Sequence, residues 1–208
     1  MFVVVPRVSQ EHLDARRQQI LAAARRCFVH NGFHATSMQD ILREAELSAG
    51  AVYRYFASKD EIVVAIAAEA LTDIRAAFQP LVEADPPPPI DEAFVVMCTA
   101  IQERDRSDGL ARMAIQIWGE AVRSPELAER LRELVRTMRE LATQLVRNYQ
   151  RRGEISPRVP AERVAPILLG VLPGFMLQQA LFGDVDPAMA GEAIRALVAG
   201  HTPDDTAG

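Results

Sequence analysis

Between residues 48 and 55 the chain reads Ser-Ala-Gly-Ala-Val-Tyr-Arg-Tyr, and Phe56 follows. On a helix, Val52 and Phe56 fall one turn apart on one side. That leaves Ser48, Ala49, Ala51, Tyr53, Arg54 and Tyr55 on the other. Two phenols and a guanidinium suit a nucleic-acid groove better than plain solvent. A tyrosine hydroxyl can donate to phosphate, an arginine can fork onto guanine, and an alanine methyl can touch the thymine methyl. Gly50 and Ala51 keep the helix start thin, so backbone can approach base edges. Helix starts near Thr36/Ser37 and Ser58/Lys59 would offer free N–H groups to phosphates, with Lys59 adding a point charge.

Other chemistry is weaker. Cys27, His30 and His34 have a metal-like look, but Gly32 ends a helix between the two histidines. Cys27 also stands beside Phe28 on an apolar stripe, where a small buried thiol is the default. Ser37, His34 and Asp40 lack an oxyanion hole or nucleophile elbow, and capping explains Ser37 better. Arg43 could reach a phosphate or simply be solvated. With no GxGxxG or Walker loop, we expect no catalytic centre, no metal and no cofactor.

The elements that would hold the 48–55 face are helices, for helical period dominates and strand alternation is almost absent. Ser9 can cap a first helix to about Asn31, with Leu13, Ile20, Ala24 and Phe28 inward and Gly32 as its left-handed end. Thr36-Ser37-Met38-Gln39 reads as a capping box with Thr36 as the cap, opening a short helix to about Ala45. A turn of about three residues leads to Ser48, which caps the third helix through Phe56. Two short capped helices on so tight a turn are the arithmetic of a helix-turn-helix. Ser58-Lys59-Asp60-Glu61 opens a long helix to about Phe78, and Pro80 to Ile90 then reads as a stiff connector. Beyond it we predict helices at about 91–104 (capped by Asp91), one capped by Ser107 or Asp108 to about Arg123, 125–152 (Ser124 cap, Pro125 first), 160–182 and 187–199, with a frayed tail from His201. The fold class is therefore all-α: a three-helix head (9–74) joined by a long helix to a helical body (75–208), about nine helices in all.

Composition agrees with a folded chain. Of 208 residues 49% are hydrophobic and 25% charged, the ordinary globular proportions. Two cysteines cannot build a disulfide framework, and the apolar start at residues 1–6 is short for a signal peptide, so a cytoplasmic location is expected. The stretch Val164–Leu177 holds two prolines and two glycines and reads as a buried helix, with no membrane partner. The net charge of −5 hides an asymmetry. Residues 1–60 carry eight basic and six acidic groups, a balance of +2, and the rest stands at −7. A mildly basic head on an acidic body fits a nucleic-acid partner better than the average does.

In the body, Met97, Ile101, Met113, Ile117, Trp118, Met138, Leu141 and Phe175, with Gln179 as a polar group, could line a pocket for an apolar or aromatic small molecule. Such a stripe is usually core material, and only a minority of its residues would line a pocket. Pro166 and Pro173 should kink or split the 160–182 helix, and Gly170 and Gly174 permit close packing of another helix.

The run from Thr36-Ser37-Met38-Gln39-Asp40-Ile41 through Ala45-Glu46-Leu47-Ser48-Ala49-Gly50-Ala51-Val52-Tyr53-Arg54-Tyr55-Phe56 to Ser58-Lys59-Asp60 resembles the DNA-binding signature of the tetracycline-repressor (TetR) family. Ile20, Ala24, Phe28, Gly32 and Phe33 fit the same pattern. The resemblance covers roughly residues 13–74. It implies an all-α homodimer that binds a near-palindromic double-stranded DNA operator and is released by a small-molecule effector held in the body, with the dimer built from the last two long helices. By carry-over Thr36 or Ser37, Tyr53, Tyr55 and Lys59 would hold phosphates, while Ala49, Gly50, Ala51 and Arg54 would face bases. Members often carry lysine where Ala49 stands and threonine or serine where Ala51 stands, which throws more weight on Arg54. A helical protein-interaction scaffold, or a small-molecule-binding protein without an operator, is the alternative reading.

Overall fold

A computed structural model describes residues 10–199. The Ser9 cap, the apolar start and the tail from His201 lie outside the described residues. Within them the chain forms nine helices: α1 (Gln10–Asn31), α2 (Met38–Ala45), α3 (Ala49–Tyr53), α4 (Lys59–Glu83), α5 (Ile90–Asp108), α6 (Leu110–Ala121), α7 (Pro125–Arg152), α8 (Ala161–Leu181) and α9 (Pro187–Ala199).

Two cores organise them. The head core gathers Ile20, Leu21, Phe28, Ile41, Val52, Phe56, Ile62 and Ile66, all buried. Each such side chain contributes about 1.5–3 kcal/mol on leaving water. The body core runs from Ala70 and Phe78 on α4 through Phe94, Met97 and Ile101 on α5 to Leu145 and Tyr149 on α7 and Phe175 on α8. Along α4 the core changes hands between Ile66 and Ala70, one turn apart.

Local signals set most of the ends. Gly32 (φ +83°) and Gly153 (φ +77°) adopt the left-handed conformation that closes α1 and α7. Ser124 accepts from the Leu127 N–H at 3.3 Å, with Pro125 first in α7. Five expectations are corrected. Asp91 lies inside α5 rather than capping it; it is buried and paired with Arg195 of α9. Neither Ser107 nor Asp108 caps α6: its N-cap is the left-handed Gly109, and Asp105 Oδ1 accepts from the Ala111 N–H at 2.7 Å across that turn.

The other three concern the two helices that hold internal prolines. Helix α4 does not stop before Pro80 but continues to Glu83. Leu81 and Val82 are buried in the body core, and Asn148 donates to the Val82 carbonyl at 3.1 Å, which outweighs the missing donor at Pro80. Helix α8 does not split at Pro166 or Pro173. Nor is it a buried helix: about 22% of its apolar window is buried, although by length and composition it could cross a membrane. Ile167, Val171, Leu177 and Leu181 are exposed on it, Ile167 by 73%, and so is Phe182 at its C-terminal cap. A Cβ added at Gly170 or Gly174 would meet open space, so close packing is available there but unused within the chain. Helix α9 lies against α5, where Gly191 leaves room for Val95 and the Asp91 carbonyl.

Candidate nucleic-acid interface

The head presents α3 on a framework set by three caps. Ser37, not Thr36, is the cap of α2. Its Oγ accepts from the Asp40 N–H at 3.2 Å, and Asp40 Oδ2 accepts in return from the Ser37 N–H at 2.9 Å and hydroxyl at 2.6 Å. The two bonds from Ser37, with Arg43 as a lesser influence, hold the Asp40 carboxyl below the usual carboxylate range. An internal carboxylate therefore already sits at the start of α2. Glu46 takes the left-handed conformation (φ +54°) that ends α2, and the Leu47 N–H returns to the Leu42 carbonyl at 3.2 Å. Ser48 then caps α3 by accepting from Ala51 N–H at 3.3 Å. Ser58 caps α4 through the Glu61 N–H at 3.3 Å, while Glu61 reaches back to the Ala57 N–H at 2.7 Å.

On this frame α3 ends at Tyr53, shorter than its spacing predicts, and Arg54 is its C-terminal cap. Val52 is fully buried and Phe56 nearly so, with Arg17 stacked 5.5 Å over the Phe56 ring. Ser48, Ala49, Gly50, Tyr53 and Arg54 are exposed, Tyr53 by 47%. A Cβ at Gly50 would meet nothing within 4 Å, so its own fold does not demand glycine there. Ala51 is half-buried, and so is Tyr55, whose ring packs on the head core. The α3 surface thus joins a small-residue N-terminal edge to one phenol and one guanidinium, all on one side.

Two phosphate candidates are tied down within the head. Thr36 is 1% exposed, and its hydroxyl donates to the Gly32 carbonyl at 2.7 Å and the Cys27 carbonyl at 3.2 Å. It latches the α1–α2 turn and is not free to meet a phosphate. Lys59 Nζ donates to the carbonyls of Phe33 at 2.7 Å and Thr36 at 2.9 Å, and stands 4.0 Å from the Phe33 ring centroid. Partial burial pushes its pKa below the ordinary lysine value. Inside the head it acts as a staple between that turn and α4. A threonine beside a helix start and the chain's only lysine are the sequence signals here, and neither spells the direction of its side chain.

Sequence reasoning missed a third layer, supplied by α6. Met113 and Ile117 are buried in the head core, not in a pocket, and Gln116 Oε1 accepts from the Phe33 N–H at 2.6 Å. Trp118 is exposed beside them. Only Met97 of the candidate ligand residues stands on the wall of an apolar cavity of about 20 Å³ between α4, α5, α7 and α8. Phe78, Phe94, Leu145, Tyr149 and Leu172 line the same cavity, which is about the size of one water molecule. Ile101, Met138, Leu141 and Phe175 are body core away from that wall, and Gln179 is half-buried with an unpartnered Oε1. Burial pushes the Cys98 thiol up to about 12 and the Tyr149 phenol higher still. Among the described residues no group of three or more His, Cys, Asp or Glu could share a metal ion; Cys27 is buried and His30 exposed.

Residues 20–66, the segment that builds this head, match the family model described as bacterial regulatory proteins, tetR family. Residues 89–203 match that of the BetI-type transcriptional repressor C-terminal region. The chain belongs to the TetR family. It is a transcriptional regulator with an N-terminal helix-turn-helix DNA-binding domain and a helical body. Along 191 residues it is 27% identical to the Escherichia coli K12 regulator UidR, covering 92% of this chain and 95% of UidR. The structure of Salmonella enterica GusR superposes with a TM-score of 0.76 at 26% identity, over 94% of this chain and 98% of GusR. The same TetR fold is shared with Bacillus subtilis FadR, solved with stearoyl-CoA (TM-score 0.71, 17% identity, 87% and 96% covered).

Proposed function

We propose that this TetR-family regulator is a cytoplasmic, homodimeric repressor that leaves a near-palindromic operator when a small apolar or aromatic effector enters its body. The observation that carries the reading is the exposed α3 face, with Ser48, Ala49, Gly50, Tyr53 and Arg54 outward over a buried Val52. In this reading Arg54 forks onto a base, Tyr53 and Ser48 donate to phosphates, and Ala49, Gly50 and Ala51 let the helix sit deep. Tyr55 contributes only its exposed edge. Two α3 helices then occupy successive major grooves about 34–36 Å apart.

Dimerisation supplies that spacing. The exposed apolar face of α8, with Ile167, Val171 and Leu181 around Gly170 and Gly174, is the seat for the second copy. The effector enters between α4, α5, α7 and α8 by widening the small cavity at Phe78, Phe94 and Met97. Its wall carries no charged side chain, which favours an uncharged, apolar ligand. Widening there displaces the body end of α4, and α4 carries the motion to the head as a lever; the division expected near residue 74 falls a turn earlier, where the cores change hands between Ile66 and Ala70. Coupling of this kind is typically about 1–3 kcal/mol.

A gel-shift titration against the DNA upstream of its own coding region tests the reading. A retained band whose affinity falls steeply as salt rises supports it. No retention, or an affinity indifferent to salt, refutes it.

A further inference from the structure

The backbone of Phe33 is held from two sides. Its carbonyl takes the Lys59 ammonium of α4 at 2.7 Å, and its N–H is given to Gln116 of α6 at 2.6 Å. The other end of the same amide donates to the Phe28 carbonyl at 3.5 Å, at the last turn of α1. Next door Glu120 Oε2 lies 3.0 Å from His34 Nε2, with Arg123 beside both. Met113 and Ile117, flanking Gln116 on α6, are knobs in the head core. At the start of α6, Gly109 has a φ of +66°, and a Cβ there would come within 3.0 Å of Val29 on α1. Asp108, one residue earlier, faces Arg25 of α1 at 3.8 Å.

These contacts form a second bridge between body and head, separate from α4. Its body end is α5, which puts Phe94 and Met97 on the cavity wall and ends at Asp108. Its head end is the turn at residues 32–37, from which α2 starts and on which α3 depends through Ile41, Leu42 and Val52.

We propose that Gln116 is a positioning residue for DNA recognition: its amide sets the tilt of the α1–α2 turn, so that movement of α6 turns α3 directly. A hydrogen bond between uncharged groups suits this task, because it is directional and little affected by salt. The inference extends the operator-binding reading and rests on it for its consequence, but the geometry can be tested without DNA.

The experiment uses the full chain and the substitutions Gln116→Ala and Gln116→Glu; the second keeps an acceptor for the Phe33 N–H. In the DNA-free protein, Gln116→Ala should move backbone amide resonances at residues 48–55 as well as at 28–37, and Gln116→Glu should restore those at 48–55. Shifts confined to 28–37 overturn the proposal. With a duplex selected in vitro by the wild type, emission of the single tryptophan, Trp118 on α6, should change on binding. Gln116→Ala should lose that response and bind roughly three- to tenfold more weakly. A variant that binds as wild type, or binds weakly while Trp118 still responds, also overturns it. If Gln116→Ala does not fold, Gln116→Glu decides alone: near-wild-type affinity with the Trp118 response supports the role, and its loss counts against it. If the wild type selects no duplex, operator binding fails and the amide shifts still judge Gln116.

Discussion

Replacing Lys59 by methionine separates two roles for one cation. In the structure its ammonium donates to two carbonyls and lies over the Phe33 ring. Hydrogen bonds to a charged group contribute about 1.5–3 kcal/mol, and a cation–π contact about 0.5–1 kcal/mol at an exposed site. Lys59 is only half-buried, so solvent screens part of this, and about 2 kcal/mol is the expected loss. For a chain of this length that lowers Tm by about 4–8 °C. Operator affinity should fall through the disturbed turn at 32–37, while the slope of log affinity against log salt stays unchanged. A phosphate-bound lysine behaves in the opposite way. Its removal leaves stability untouched and flattens the slope by about 0.9 per protomer. Unfolding of Lys59→Met followed by circular dichroism, with a salt series of operator titrations, distinguishes the two. Wild-type stability with a flattened slope would refute the staple.

Further predictions concern the reading face, the α2 cap and the body. Arg54→Ala should relax discrimination at one operator position at a cost of about 1–3 kcal/mol, whereas Tyr53→Phe should weaken all duplexes alike; competition with single-base operator variants separates these. The Asp40 carboxyl is held low by Ser37, so its contribution is present above the usual carboxylate range and disappears as pH falls through the depressed value. Asp40→Asn should therefore unfold at lower urea than wild type near neutrality, with the gap closing in acid. A Cβ at position 191 would stand 2.6 Å from a Val95 methyl and 2.9 Å from the Asp91 carbonyl. Gly191→Ala should push α9 off α5 and cost about 1–3 kcal/mol in denaturant unfolding.

Much of the fold is legible in the chain because its helix ends are written in caps. Ser48, Ser58, Ser124, Gly32 and Gly153 mark boundaries where the structure puts them. The start of α2 lies one residue past the Thr36 cap that the spacing predicts, because Thr-x-x-Gln and Ser-x-x-Asp overlap there. Burial of the Thr36 hydroxyl decides between them, and burial is a tertiary fact. The same holds for Pro80, where the packing of Leu81 and Val82 overrides a local stop signal. Apolar period told that Met113 and Ile117 face inward, but not toward which core. For α8 composition cannot separate a helix buried in its own chain from one whose outer face stays bare, and the bare face emerges only once the other helices are placed.

The central claim is that paired α3 helices read DNA, and footprinting tests it most directly. On a duplex selected by the wild-type protein, hydroxyl-radical cleavage should show two protected half-sites with centres about 10 base pairs, or a multiple of that, apart, and Arg54→Ala should lose preference at the same base in each. A single protected half-site, or protection indifferent to Arg54, would contradict it.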